Sequence, residues 1–136
     1  MSVQFLNSCR ALAAAATVLC FALAGCGGNN NRCFIGSITV SPGAATVDHA
    51  AAPPGNTQQF AAFAASVPQG CAVAQSNLTN VIWSVSDPVN VSIGSTPGPS
   101  FGTATCKAAA GAVTVTGTLN QTDFAPVKAT ATLTCN

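Results

Sequence analysis

The sequence predicts an all-β sandwich, and three observations predict it. Apolar and polar residues alternate with period two over many short stretches. Proline, glycine, asparagine and aspartate punctuate those stretches at short intervals. Downstream of residue 26 no stretch has a convincing helical period, and the alanine-rich run 108–110 is far too short for a helix.

The elements follow in order. Ile38 and Val40 alternate with Thr39 and Ser41, and Pro42, which has no N–H for a ladder, ends the first strand. Residues 57–65, with Phe60 among alanines, make the second. Val81, Trp83 and Val85 alternate around Ser84 and Ser86. After the Asp87-Pro88 turn, Val89, Val91 and Ile93 make a shorter strand, and 103–107 make another. In 112–119, Val113, Val115 and Leu119 point inward and Thr114, Thr116 and Thr118 outward. In 127–135 every odd position is apolar and every even one polar, the signature of a half-buried strand. Pro53-Pro54-Gly55-Asn56, Pro68-Gln69-Gly70, Thr96-Pro97-Gly98-Pro99 and Ala110-Gly111 separate these runs. About seven short strands so punctuated read as a sandwich.

The first 26 residues read differently. An apolar run over 11–25 follows the single charge of Arg10. It is shorter than the roughly 20 residues a spanning helix needs. It has no polar alternation to give a buried helix one wet face, and it fits the apolar region of a secretory leader. Leu23-Ala24-Gly25-Cys26 closes the run and resembles the lipobox of bacterial lipoproteins. The resemblance implies a leader over 1–25, cleavage before Cys26, and a diacylglyceryl thioether on its sulfur. Two or more acyl chains hold stably where one does not, at roughly 0.8 kcal/mol per buried CH₂. Gly27, where the resemblance would place Asp in a protein retained at the inner membrane, implies the outer membrane. The glycines and asparagines of 27–31 then make a flexible tether, with 26–34 as the linking segment and 35–136 as the domain.

Composition narrows the function. Past the leader the charges are Arg32, Lys107 and Lys128 against Asp48, Asp87 and Asp123, with no Glu. A net charge near zero lacks the basic footprint that nucleic acid requires. Of seven cysteines, Cys9 and Cys20 leave with the leader and Cys26 takes the lipid. Cys33, Cys71, Cys106 and Cys135 remain, an even number in an exported chain, so two disulfides are the expectation, with three pairings open. No C-x-x-C pair suggests zinc, and nothing implies a cofactor or a metal.

Taken in order, Ser37-Ile38-Thr39-Val40-Ser41-Pro42, Thr57-Gln58-Gln59-Phe60, Val81-Ile82-Trp83-Ser84-Val85-Ser86, Gly102-Thr103-Ala104-Thr105, Ala110-Gly111-Ala112-Val113-Thr114-Val115-Thr116 and Ala129-Thr130-Ala131-Thr132-Leu133 resemble a bacterial immunoglobulin-like domain of the group 2 type. The resemblance covers roughly 35–134. The chain departs from it in the lengthened connection 48–54, the insertion 66–80 and the four cysteines. The implied fold is an immunoglobulin-like β-sandwich of about seven strands. It places Cys33 and Cys71 at one end and Cys106 and Cys135 at the other, which implies the pairs Cys33–Cys71 and Cys106–Cys135.

Few residues offer chemistry. His49 is the only histidine and sits beside Asp48, but neighbours on a strand point to opposite faces, so an exposed loop pair is the plainer reading. No nucleophile motif is present, and the chain does not read as an enzyme. Trp83 could stack on a sugar, but its place on the third strand favours the core, with Phe60, Val113 and Val115. Phe101 reads the same way. Asn77-Leu78-Thr79 matches a glycosylation sequon that a bacterial lipoprotein gives no reason to use. The insertion 66–80 is the candidate contact surface, through Ser66, Gln69, Gln75, Asn77 and Asn80, its alternative being a loop merely pinned by Cys71. The expected role is a non-catalytic, lipid-anchored envelope protein for adhesion or protein–protein contact. Its partners would be the membrane, through the anchor, and a protein or glycan. A carbohydrate-binding module and a periplasmic scaffold are the alternatives, and the label rests on family analogy.

Overall fold

The computed structural model describes residues 32–72 and 76–136. The leader, the lipobox with Cys26, residues 27–31 and Gln75 lie outside the described residues. Every regular element among the described residues is a strand: β1 (Ser37–Ser41), β2 (Ala44–Val47), β3 (Thr57–Gln59), β4 (Ala61–Ser66), β5 (Val81–Val85), β6 (Val91–Ile93), β7 (Thr103–Cys106), β8 (Gly111–Gln121) and β9 (Phe124–Cys135).

These nine pieces are seven strands of an immunoglobulin-like sandwich. β3 and β4 are one strand interrupted only at Phe60, whose N–H still bonds Gly102 O at 2.9 Å. One layer therefore runs β1, β4 with β3, β7, β6, and the other runs β2, β9, β8, β5. The edge strand changes layers at Pro42-Gly43: β1 pairs antiparallel with β4, while β2 pairs parallel with β9. Proline lacks the N–H that would continue the first ladder, so the chain is released there to join the second. The partition matches the four-plus-three arrangement of immunoglobulin domains.

Period-two alternation does the burying. β8 sends Val113, Val115, Gly117 and Leu119 inward, and β9 sends Ala131, Leu133 and Cys135. Val81 joins them from β5, and Phe60, Ala62, Val91 and Ala104 face them from the other layer. Trp83 is only 3% exposed and meets Phe101 edge-on, with ring centroids 6.4 Å apart. Cys106 and Cys135 are buried in the same core and bonded to each other, and Cys33 is bonded to Cys71.

Two local expectations change. Residues 57–65 do not form one unbroken strand: β3 pairs with β7 and β4 with β1, and the strand breaks at Phe60, where the partner changes. Val89 does not belong to a strand: it is 78% exposed in a turn, and β6 begins at Val91. Arg32 is ion-paired to Asp123, Cys33 is bonded to Cys71, and Phe34 stacks on Phe124.

A core using many alanines buries little area per residue, so the Cys106–Cys135 bond carries weight. Its separation of 29 residues corresponds to about 3–4 kcal/mol in the chain-entropy model. The double variant Cys106→Ala/Cys135→Ala is expected to lose about that much unfolding free energy in a urea titration. A loss below roughly 1 kcal/mol would show that the core holds without the bond.

Candidate functional site

Antiparallel connections sort the loops into two poles. β1 starts, β4 ends, β6 ends and β8 ends at one pole, so that pole gathers the amino-terminal strap 32–36, the insertion 66–80, the loop 94–102 and the β8–β9 turn. The other pole gathers 48–56, 86–90 and 107–110.

The strap is fastened at successive residues. The Arg32 guanidinium donates to Asp123 Oδ2 at 3.0 Å. Both side chains are more than 60% exposed, so that pair contributes at most about 1 kcal/mol. Cys33 is bonded to Cys71, with Cα atoms 5.6 Å apart. Phe34 stacks on Phe124 with centroids 4.5 Å apart. Gln121 holds both backbone groups of Ile35: its Oε1 accepts from Ile35 N at 2.7 Å, and its Nε2 donates to Ile35 O at 2.9 Å. Gly36 N donates to Ser66 O at 2.8 Å. The strap thus behaves as an added strip along the β8–β9 tip. That tip turns in two residues, Thr122 and Asp123, with Asp123 at φ 66°. Aspartate tolerates this left-handed geometry better than most residues.

The insertion is partly structural. Asn77 Oδ1 accepts from Ala62 N at 3.1 Å, and Leu78 N donates to Ala62 O at 2.8 Å. Together they complete both backbone groups of Ala62 on the edge of β4 that β7 leaves uncovered. Leu78 packs against the core. Ser66 belongs to β4, and its hydroxyl lies 2.7 Å from that of Ser37. Gln69 and Asn80 are exposed at this pole. Ser66 and Asn77 each have a hydrogen-bond partner within the domain, and Ser66, Gln69, Asn77 and Asn80 are all exposed.

The 94–102 loop closes a sheet edge. Ser95 Oγ accepts from Trp83 N at 3.0 Å and donates to Trp83 O, occupying both backbone groups at the middle of edge strand β5. Gly94 allows the fold-back, since a Cβ there would lie 2.0 Å from Ser100 O. Trp83 and Phe101 both lie in the core rather than on a face. Neither the strap nor the Ser95 plug was readable from the sequence: a lone Gln or Ser carries no spacing signal.

At the other pole the acidic residues make turns. Asp48 Oδ1 accepts from Ala50 N at 2.8 Å, while His49 bonds the carbonyl of Asn136 through both its N–H and its Nδ1. The Asp48 and His49 side chains thus have separate partners. Asp87 accepts from Val89 N and Asn90 N at 3.2 Å each, and from Asn90 Nδ2 at 2.8 Å. Lys107 Nζ reaches Pro88 O and Val89 O across the same turn. Among the described residues no group of three or more His, Cys, Asp or Glu is placed to hold a metal ion. No family model matches the chain, and no curated protein matches it.

Two tests follow from these contacts. The Asn90 side chain, chiefly, holds the Asp87 carboxyl below its ordinary value. Its contribution to stability is therefore present above the unfolded-state pKa and is lost as pH falls through the lowered one. Asn90→Ala is expected to raise the Asp87 titration midpoint, read from its carboxyl carbon shift by NMR; an unmoved midpoint would remove Asn90 as the cause. For the strap, Gln121→Ala is expected to speed hydrogen exchange at the Ile35 amide about fivefold, as loss of one hydrogen bond worth about 1 kcal/mol implies. Unchanged exchange would mean that the Cys33–Cys71 bond alone fixes the strap.

Proposed function

We propose that this chain is an exported, lipid-anchored cell-envelope protein, held by Cys26, that displays one immunoglobulin-like domain to bind another protein. The observation that carries the reading is a doubly disulfide-bonded sandwich directly behind Leu23-Ala24-Gly25-Cys26. Disulfides persist in oxidising compartments, and the leader pattern is a route to one. The resemblance to group 2 immunoglobulin-like domains supports the adhesion or protein-contact role. So does a domain whose acidic side chains and histidine are engaged in turns and backbone contacts. A glycan-binding role is less well supported, because Trp83 and Phe101, the rings it would use first, are buried.

Metabolic labelling with an alkyne fatty acid is expected to mark the wild-type chain and not Cys26→Ala, which should leave the membrane fraction. Labelling of both, or of neither, would overturn the anchor. A membrane-impermeant protease applied to whole cells is then expected to cut the domain. Protection until the outer membrane is breached would replace the display role with a periplasmic scaffold.

A further inference from the structure

We infer that the pole gathering the strap, the insertion and the β8–β9 turn faces the lipid surface that carries the anchor, with Gln69 and Asn80 toward the bilayer rather than toward an outside partner. The inference rests on the lipid anchor proposed above and deepens it by giving the domain an orientation.

Chain reach excludes the inverted posture. The strap is fixed covalently at Cys33 and by hydrogen bonds at Ile35 and Gly36, so free chain can begin no later than Arg32. Between Cys26 and Arg32 stand only residues 27–31. Fully extended, that stretch reaches about 20 Å. β9 alone, at 12 residues, runs about 40 Å from the strap's pole to the other one. An inverted domain would need its attachment point about 40 Å above the bilayer, twice what the tether allows. Without the strap the free segment would run to Ser37 and the limit would relax. The strap's fastening is therefore what makes orientation a property of the chain.

Charge points the same way, weakly. Arg32 lies at the strap's pole and Lys128 on the part of β9 nearer to it, against Asp123 alone. Asp48 and Asp87 lie at the far pole, with Lys107 beside the Asp87 turn. An anionic lipid surface attracts nearby cations within a screening length of about 8–10 Å. Arg32 is matched by Asp123, so this term assists and does not decide. Reach alone permits the domain to lie on a sheet face, and the test must separate that posture.

The lipidated full chain, its acylation confirmed by mass, would be placed in anionic vesicles containing a headgroup-nitroxide lipid. Tryptophan reporters would be introduced singly at exposed positions: Gln69→Trp at the strap's pole, Ala52→Trp at the far pole and Thr130→Trp on the outer face of the β8–β9 sheet. Trp83 is buried and gives each variant the same background. The expected result is quenching of the Gln69→Trp signal, with the other two no more quenched than wild type. Strong quenching at Thr130→Trp would mean that the domain lies on its sheet. Equal quenching at Ala52→Trp, or none at Gln69→Trp, would likewise overturn the orientation while leaving the anchor intact. A chain found without lipid would overturn the anchor and this inference together.

Discussion

The seating of Trp83 over Gly117 is the contact on which the sandwich depends. A Cβ at Gly117 would stand 3.1 Å from Val81 Cγ1 and 3.2 Å from Trp83 Cζ3, so a side chain there would compete with the largest ring of the core. The β5–β8 register places Trp83 directly opposite Gly117, and the β8–β9 register places Gly117 opposite Ala129. Three neighbouring strands thus trade volume at one level: one very large residue, one absent side chain, one small one. A slip of one residue in β8 would turn Val115 outward and put a threonine under the indole. Register in this layer is therefore enforced by packing as well as by hydrogen bonds.

The same economy explains the disulfides. Ala62, Ala104 and Ala131 occupy core positions that a larger domain would fill with branched side chains. Each contributes little buried area, so the entropy of the unfolded chain must be reduced by other means. Cys106–Cys135 joins the two layers within the core, and Cys33–Cys71 joins the strap to the insertion at one pole. They divide the work between holding the sheets together and fixing the point where the chain enters the fold.

Alternation made the layers legible from sequence. Val113, Val115 and Leu119, and Ala131, Leu133 and Cys135, take the faces that their parity assigns, and both cysteine pairs form as the resemblance implied. Elements set by tertiary contact were not legible. β2 reads as Ala44-Ala45-Thr46-Val47 and becomes a strand only because β9 offers it a parallel edge. Val89 has the right parity for a strand, yet Asp87 captures the amides of residues 89 and 90 and makes a turn of them. Local side-chain bonding to the backbone competed with the ladder there and won.

Polar side chains in the loops also complete the backbone. In a loop rich in Gln, Asn and Ser, each polar side chain reads as available to a partner until the backbone beside it is counted. Asn77 satisfies the amide of Ala62, which would otherwise be an uncovered donor on a strand edge. Ser95 does the same for both groups of Trp83, and Gln121 for both groups of Ile35. In each case a neutral polar side chain stands in for a missing strand. A chain with only three acidic side chains has little else with which to close its edges. Asn77 and Ser95 stay exposed while they make these bonds, so one polar side chain both closes an edge and remains on the surface.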